Sequence, residues 1–243
     1  MKEWYQMNEE EVLKMLDADK NGLSSERAEE LLKMNGENVL QESKKKSALR
    51  VFAEQFADLL VIILIIAAII SMVSGNVEST IVIFAVITMN AILGTVQHEK
   101  AEKSLASLKT LSAPTAKVLR GGVKGEIPSA QIVKGDILLL EAGDLVTADG
   151  RILESYSLQV NESSLTGEST NVEKKAVVLE GEQALGDRIN MVYSGSLVTG
   201  GRAVVLVTAT GMETEIGKIA ALMNATKEKK TPLQVSLDKF GSQ

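Results

Sequence analysis

Two stretches of the chain are almost wholly apolar, and the segments around them follow other rhythms. Leu59 to Ile70 is an unbroken run of twelve apolar residues. With its flanks it extends from about Gln55 to Ser74, interrupted only by Asp58 and Ser71. About twenty residues cross a bilayer as a helix, so this segment predicts a membrane span. Gly75-Asn76-Val77-Glu78 is a minimal turn, and a second apolar stretch from about Ser79 to Val96 predicts a second span. Lys44, Lys45, Lys46 and Arg50 precede the first span. Lys100, Lys103 and Lys109 follow the second, and the turn carries no Lys or Arg. Basic residues on one side of a hairpin place both termini in the cytoplasm. The rival reading, a buried helical hairpin in a soluble core, does not account for these one-sided flanks. Ala101, Leu105 and Leu108 continue an apolar stripe at helical spacing among Glu99, Glu102 and Lys103. That pattern predicts a stalk leaving the membrane.

Before the spans, the spacing predicts two short helices. Asn8 can cap the first, with Glu11 completing a capping box and Val12, Leu13 and Leu16 forming the apolar stripe. Ser24 or Ser25 starts the second, Ala28, Leu31 and Leu32 share a face, and Gly36 is a stop signal. Between them, Asp17, Asp19, Asn21 and Gly22 imitate the start of a calcium loop. The twelfth position is Ala28 where a bidentate Glu is required, so the motif fails.

After Pro114 the pattern changes to short β-like runs and glycine turns. Lys117-Val118-Leu119, Ile137-Leu138-Leu139-Leu140, Tyr193 to Val198 and Arg202 to Thr208 read as strands. Gly200-Gly201 between the last two reads as a hairpin turn. Short strands at close intervals predict a small antiparallel sandwich or distorted jelly roll. Thr214 to Met223 returns to helical periodicity, and Thr226 to Thr231 is a basic, polar linker leading to Pro232-Leu233-Gln234.

Composition narrows the function. A net charge of −6 and 3% aromatic residues give no support for nucleic acid as a partner. The sequence has no cysteine, which excludes disulfides, Cys-ligated zinc and thiol chemistry. The single histidine, His98, excludes a multi-histidine metal site and reads as an ordinary interfacial residue. No signal peptide is visible ahead of the first apolar run.

One polar loop carries candidate chemistry. Asn161-Glu162-Ser163-Ser164-Leu165-Thr166-Gly167-Glu168-Ser169 lies between two strand-like stretches. Gly167 permits an unusual dihedral, and the hydroxyls can bond the loop or a phosphate. Such a loop suits the aiming of one carboxylate, Glu168, at a partner surface. Read alone, four residues of this kind are equally a surface turn.

Together with its neighbours the loop resembles the actuator region of type II P-type cation-transporting ATPases, and of these the calcium pumps most. Gly22-Leu23-Ser24-Ser25-Glu26 and Asn35-Gly36-Glu37-Asn38-Val39-Leu40 resemble their N-terminal helical region. Asn90-Ala91-Ile92 and Glu99-Lys100-Ala101-Glu102 resemble the second membrane helix and stalk. Val133-Lys134-Gly135-Asp136-Ile137, Ala142-Gly143-Asp144 and Asp187 to Gly195 resemble actuator segments. Thr214 to Ile219 and Thr231-Pro232-Leu233-Gln234 resemble the exit helix and linker. Where the family has Pro-Ala-Asp-Gly, this chain reads Thr147-Ala148-Asp149-Gly150, losing a rigid turn residue.

The resemblance implies an α+β membrane protein with a two-helix transmembrane hairpin and a cytoplasmic actuator, a distorted β jelly roll with N-terminal helices. Its expected parts are 1–47, the N-terminal helices packing with the actuator; 48–110, the two spans and stalk; 111–225, the β domain and exit helix; and 226–243, a linker toward a third span. In the implied cycle Glu168 orients and deprotonates water attacking an aspartyl phosphate, while Thr166, Gly167 and Ser169 shape the loop and contact phosphate oxygens. Rotation of the actuator then pulls on the two helices.

No Asp-Lys-Thr-Gly phosphorylation motif occurs, and Gly211 to Lys218 fails the phosphate-loop spacing. The chain therefore reads as the N-terminal portion of a pump, truncated artificially, by incomplete sequence or by gene fragmentation. ATP and Mg²⁺ are expected to serve the full-length pump and not to bind this portion. The implied partners are the bilayer, the remaining phosphorylation, nucleotide and membrane domains, and a transported cation. Ca²⁺ is favoured, with sodium, manganese or protons as alternatives, and the implied location is the plasma membrane. Asp58 reads either as part of a cation access route or as an interfacial carboxylate that reaches water. Two other functions are compatible with the sequence: a stand-alone membrane-anchored regulatory or binding module, and a structural two-helix membrane protein.

Overall fold

The structure, a computed structural model, describes residues 2–40, 47–111 and 114–225, with backbone alone at 59–60, 106–111 and 224–225. Lys44 to Lys46, the side chains of Leu108 and Lys109, and the 226–243 linker lie outside the described residues. The chain divides into two compact units, 1–41 with 114–243, and 42–113.

Helices α1 (Glu9–Met15) and α2 (Ser25–Asn35) begin where the sequence signals them. Asn8 Oδ1 accepts the Glu11 N–H at 2.8 Å, and a Glu11 carboxylate oxygen accepts the Asn8 N–H at 2.9 Å. Ser24 caps α2, and Gly36 ends it at φ 81°. The calcium-like loop between them serves packing. Gly121 N–H bonds the Leu23 carbonyl at 3.0 Å and Gly122 N–H bonds that of Asn21 at 2.7 Å. A Cβ on Gly22 would lie 1.8 Å from the Leu119 carbonyl oxygen, so only glycine admits this approach.

The second unit holds α3 (Ala48–Gln55), α4 (Leu59–Val73) and α5 (Val77–Leu111). The first predicted span is shortened at its start, where the helix breaks at Phe56–Asp58 and leaves α4 as one helix of 15 residues, about 22 Å at 1.5 Å per residue. The exposed Asp58 sits at this break, where its carbonyl accepts the Ile62 N–H at 2.9 Å. One described helix is long and apolar enough to cross a membrane, Val77–Leu105. Only 17% of its apolar window is buried, which argues against the core helix of a soluble protein. The helices meet through small side chains. Ala68, Thr80 and Ala91 are buried, and a Cβ on Gly94 would approach Gln55 Oε1 to 2.9 Å. Outside the contact, Ile62, Ile63, Ile69, Ile81, Val82 and Met89 are exposed.

Seven strands form one antiparallel sheet: β1 (Thr115–Arg120), β2 (Val123–Pro128), β3 (Ile137–Glu141), β4 (Asp149–Asn161), β5 (Asn171–Lys174), β6 (Met191–Val192) and β7 (Leu197–Ala209). Their order is β2-β1-β3-β7-β4-β5, with β6 also on β4. Both faces of β3 are covered, which explains its unbroken apolar run. Leu138 and Leu140 join Val118, Ile152, Val205 and Val207 on one face. Ile137 and Leu139 meet Met7, Val12 and Leu13 of the N-terminal region on the other.

The predicted hairpin at Gly200-Gly201 does not form. Strand β7 runs through both glycines and stays paired with β4. Opposite them β4 bulges, with Ser157 at φ 52° and a register shift between Tyr156 and Gln159. A Cβ on Gly201 would lie 2.2 Å from the Ser157 carbonyl oxygen. The two glycines make room for a bulge in the neighbouring strand. The N-terminal part of the predicted strand, Tyr193 to Ser196, is irregular. Past β7, helix α7 (Glu215–Ala225) matches the predicted return to helix.

Candidate catalytic loop

The loop leaves β4 at Asn161 and re-enters the sheet at Asn171 of β5. A single helical turn, α6 (Ser163–Thr166), occupies its first half. Asn161 Oδ1 accepts from Ser163 N–H at 3.1 Å and from its hydroxyl at 2.6 Å. Asn161 Nδ2 donates to the Ser169 carbonyl at 3.3 Å, tying the far side of the loop to its start.

Gly167 ends α6 at φ 77°, and its N–H bonds the Ser163 carbonyl at 3.0 Å. A Cβ there would meet nothing within 4 Å, so glycine is favoured by dihedral and not by crowding. The Thr166 hydroxyl donates to the Glu162 carbonyl at 3.1 Å and accepts the Glu168 N–H at 3.3 Å. Glu168 follows the left-handed turn and is exposed. Its carboxylate has no hydrogen-bond or ion-pair partner among the described residues. The Ser169 side chain is also exposed. Thr166, Gly167, Glu168 and Ser169 thus lie together, Thr166 in a shaping position and Glu168 projecting. Asp58 belongs to the other unit. Among the described residues no three carboxylate or imidazole groups come together as a metal site would require.

Beneath the loop lies a pair that the sequence reading did not single out. Lys174 Nζ stands 2.7 Å from Glu162 Oε1, with both side chains essentially inaccessible. Burial raises the Glu162 pKa and lowers that of Lys174, and each partner opposes the other's shift. The Lys174 ammonium also donates to the Arg188 carbonyl at 3.5 Å and lies 5.7 Å from the Tyr193 ring centroid. Leu165 packs against the cluster of Tyr5, Met191 and Tyr193, which anchors the loop's apolar side.

Other polar side chains act as braces. Asn38 Nδ2 donates to the Ser129 and Thr147 carbonyls at 3.0 and 2.8 Å, and its Oδ1 accepts the Gly211 N–H at 2.7 Å. The Thr147 carbonyl is therefore held from the N-terminal region without a proline ring. Asp149 is buried and accepts Ser194 and Glu215 N–H groups, each at 2.8 Å. Burial lifts its pKa to about 6 against the pull of those two bonds. Gly150 is sterically required, because a Cβ would lie 2.3 Å from Val205 Cγ1. The Arg120 guanidinium grips Asp136 at 2.8 and 2.6 Å. Asp136 and Asp149 are structural anchors, which their places next to Gly135 and Gly150 in the sequence do not disclose.

Residues 110–224 match the sequence model of the P-type ATPase actuator domain, and residues 4–71 match that of the cation transporter/ATPase N-terminus. A calcium-transporting ATPase of Listeria monocytogenes is 45% identical over 238 residues, covering 98% of this chain and 27% of the relative. Calcium-transporting ATPase 1 of Lactococcus lactis is 46% identical over 239 residues, covering 98% and 27%. A sodium/potassium exporting P-type ATPase of Schizosaccharomyces pombe is 41% identical over 204 residues, covering 83% and 20%. The chain thus spans about a quarter of the length of these relatives.

Proposed function

The chain belongs to the cation-transporting P-type ATPases, and we propose that it supplies the N-terminal helices, the first two membrane helices and the actuator of an ATP-driven pump. Ca²⁺ is the favoured ion, in keeping with the names of the two bacterial relatives. In this reading the pump sits in the plasma membrane with both ends of the present stretch cytoplasmic. The bulged β4 and its long partner β7 fit a distorted jelly roll, and α4 with α5 fit the membrane hairpin. The phosphorylation and nucleotide domains, using ATP with Mg²⁺, would occupy the remaining length that such relatives carry.

The observation that carries the proposal is Glu168, an exposed carboxylate without a partner among the described residues, at the tip of a turn whose base is hydrogen-bonded. Docked against an aspartyl phosphate, it would take a proton from water. The water oxygen would bond to phosphorus as the bond from phosphorus to the aspartyl oxygen breaks, returning the aspartate as a carboxylate. Phosphoryl transfer asks mainly for positioning and charge, and one well-placed base suits that demand. Thr166, Gly167 and Ser169 would hold the loop's shape and meet phosphate oxygens. Asp58, exposed at the break before α4, is better read as an interfacial carboxylate than as part of a transport site.

Glu168→Gln in the complete pump tests the reading. Phosphorylation from ATP should proceed, and decay of the labelled phosphoenzyme should slow about 10²-fold, the scale of a lost general base. Decay at the wild-type rate in a folded variant would remove the catalytic role.

A further inference from the structure

We propose that the buried Glu162–Lys174 pair is a positioning device that fixes where Glu168 points. The inference rests on the dephosphorylation role given to Glu168 above. It starts from a linear set of contacts. Lys174 Nζ meets the Glu162 carboxylate at 2.7 Å. The carbonyl of the same Glu162 accepts the Leu165 N–H at 2.9 Å, the Thr166 N–H at 3.0 Å and the Thr166 hydroxyl at 3.1 Å. That hydroxyl accepts the Glu168 N–H at 3.3 Å. A buried ammonium is thus linked, through the Glu162 side chain, the Glu162 carbonyl and the Thr166 hydroxyl, to the backbone of the projecting residue.

The placement gives the pair its leverage. Glu162 is the residue before α6, and Lys174 is the last residue of β5 on the return path. Lys174 is itself fixed, because Leu158 of β4 is its cross-strand partner and Arg188 and Tyr193 face its ammonium. A pair at this depth is poor at adding stability, because both charges lose their hydration. What it does supply is a fixed distance between the start of the loop and the last residue of the strand that follows it. Apolar side chains would fill the same space without setting that distance.

The test uses the complete pump with Lys174→Met, Glu162→Gln and the double variant. Each is compared with Glu168→Gln. Lys174→Met should slow phosphoenzyme decay about 10- to 100-fold, as expected when a reacting group is displaced by about an ångström. Phosphorylation by ATP should stay at the wild-type rate. The double variant should decay about as slowly as the worse single variant and no more slowly, because the two residues act as one unit. It also leaves no unpaired buried charge, so it keeps the test available if Lys174→Met fails to fold. Wild-type decay in the folded double variant, with Glu168→Gln slow, would overturn the inference and leave the Glu168 reading intact. If Glu168→Gln itself decays normally, that reading has failed, and amide exchange across 163–170 decides the clamp. Faster exchange of the Glu168 amide in the double variant supports it, and unchanged protection overturns it.

Discussion

Asp149 Oδ2 accepts the backbone N–H of Glu215 at 2.8 Å, so the first residue of β4 holds the first residue of α7. The other oxygen holds Ser194, and one buried carboxylate therefore joins three parts of the actuator. Its pKa rises from 3.8 to about 6 because desolvation outweighs these bonds. Between those values the folded chain keeps a proton that the unfolded chain has lost. The stabilising contribution is complete below pH 4 and is lost as the pH rises through 6. Wild-type stability should fall relative to Asp149→Asn by about 3 kcal/mol across that window. Unfolding curves of the two proteins at several pH values check this, and a difference that is flat or rises with pH contradicts it.

Thr147 offers a second test. Its side chain is buried, and Oγ1 has no hydrogen-bond partner among the described residues. Its carbonyl is already held by Asn38. Thr147→Val keeps the shape and removes a desolvated hydroxyl, so it should stabilise the chain by about 1 kcal/mol. A thermal melt of the two proteins in the same detergent reads the sign directly, and a lower midpoint for the variant refutes the argument.

Topology can be read chemically. With basic flanks on one side of the hairpin, Asn76 should face away from the cytoplasm and Gly122 toward it. An impermeant thiol reagent applied to intact cells should label Asn76→Cys and spare Gly122→Cys. The reverse pattern would invert the orientation.

The helix starts at Asn8 and Ser24 and the stop at Gly36 were legible because a cap is a local event, settled within three or four residues. The candidate loop was legible for a similar reason, since its turn depends on Gly167 and the hydroxyl of Thr166. Gly200-Gly201 misled because glycine marks a turn and a bulge with the same letter. The choice was made by Ser157 on the facing strand, more than forty positions away. The break at Phe56–Asp58 falls just before the unbroken apolar run, where Asp58 marked the spot but no glycine or proline announced a stop. Nothing local in the sequence marks Glu162 and Lys174 as partners. Only the strand pairing that brings β5 back against β4 reveals that they are buried together.

Helix α5 runs for 35 residues without interruption, about 52 Å at 1.5 Å per residue. Its neighbour covers its course as α3 and α4 with a joint between them. The pair is an axle beside a jointed limb. A twist or push given to one end of the axle would arrive at the other end nearly undiminished, whereas the limb would bend at its joint and absorb part of the stroke. Under the proposed function, the axle would deliver motion to the Gly75-Asn76 side of the hairpin. The limb would let its own end stay where it is.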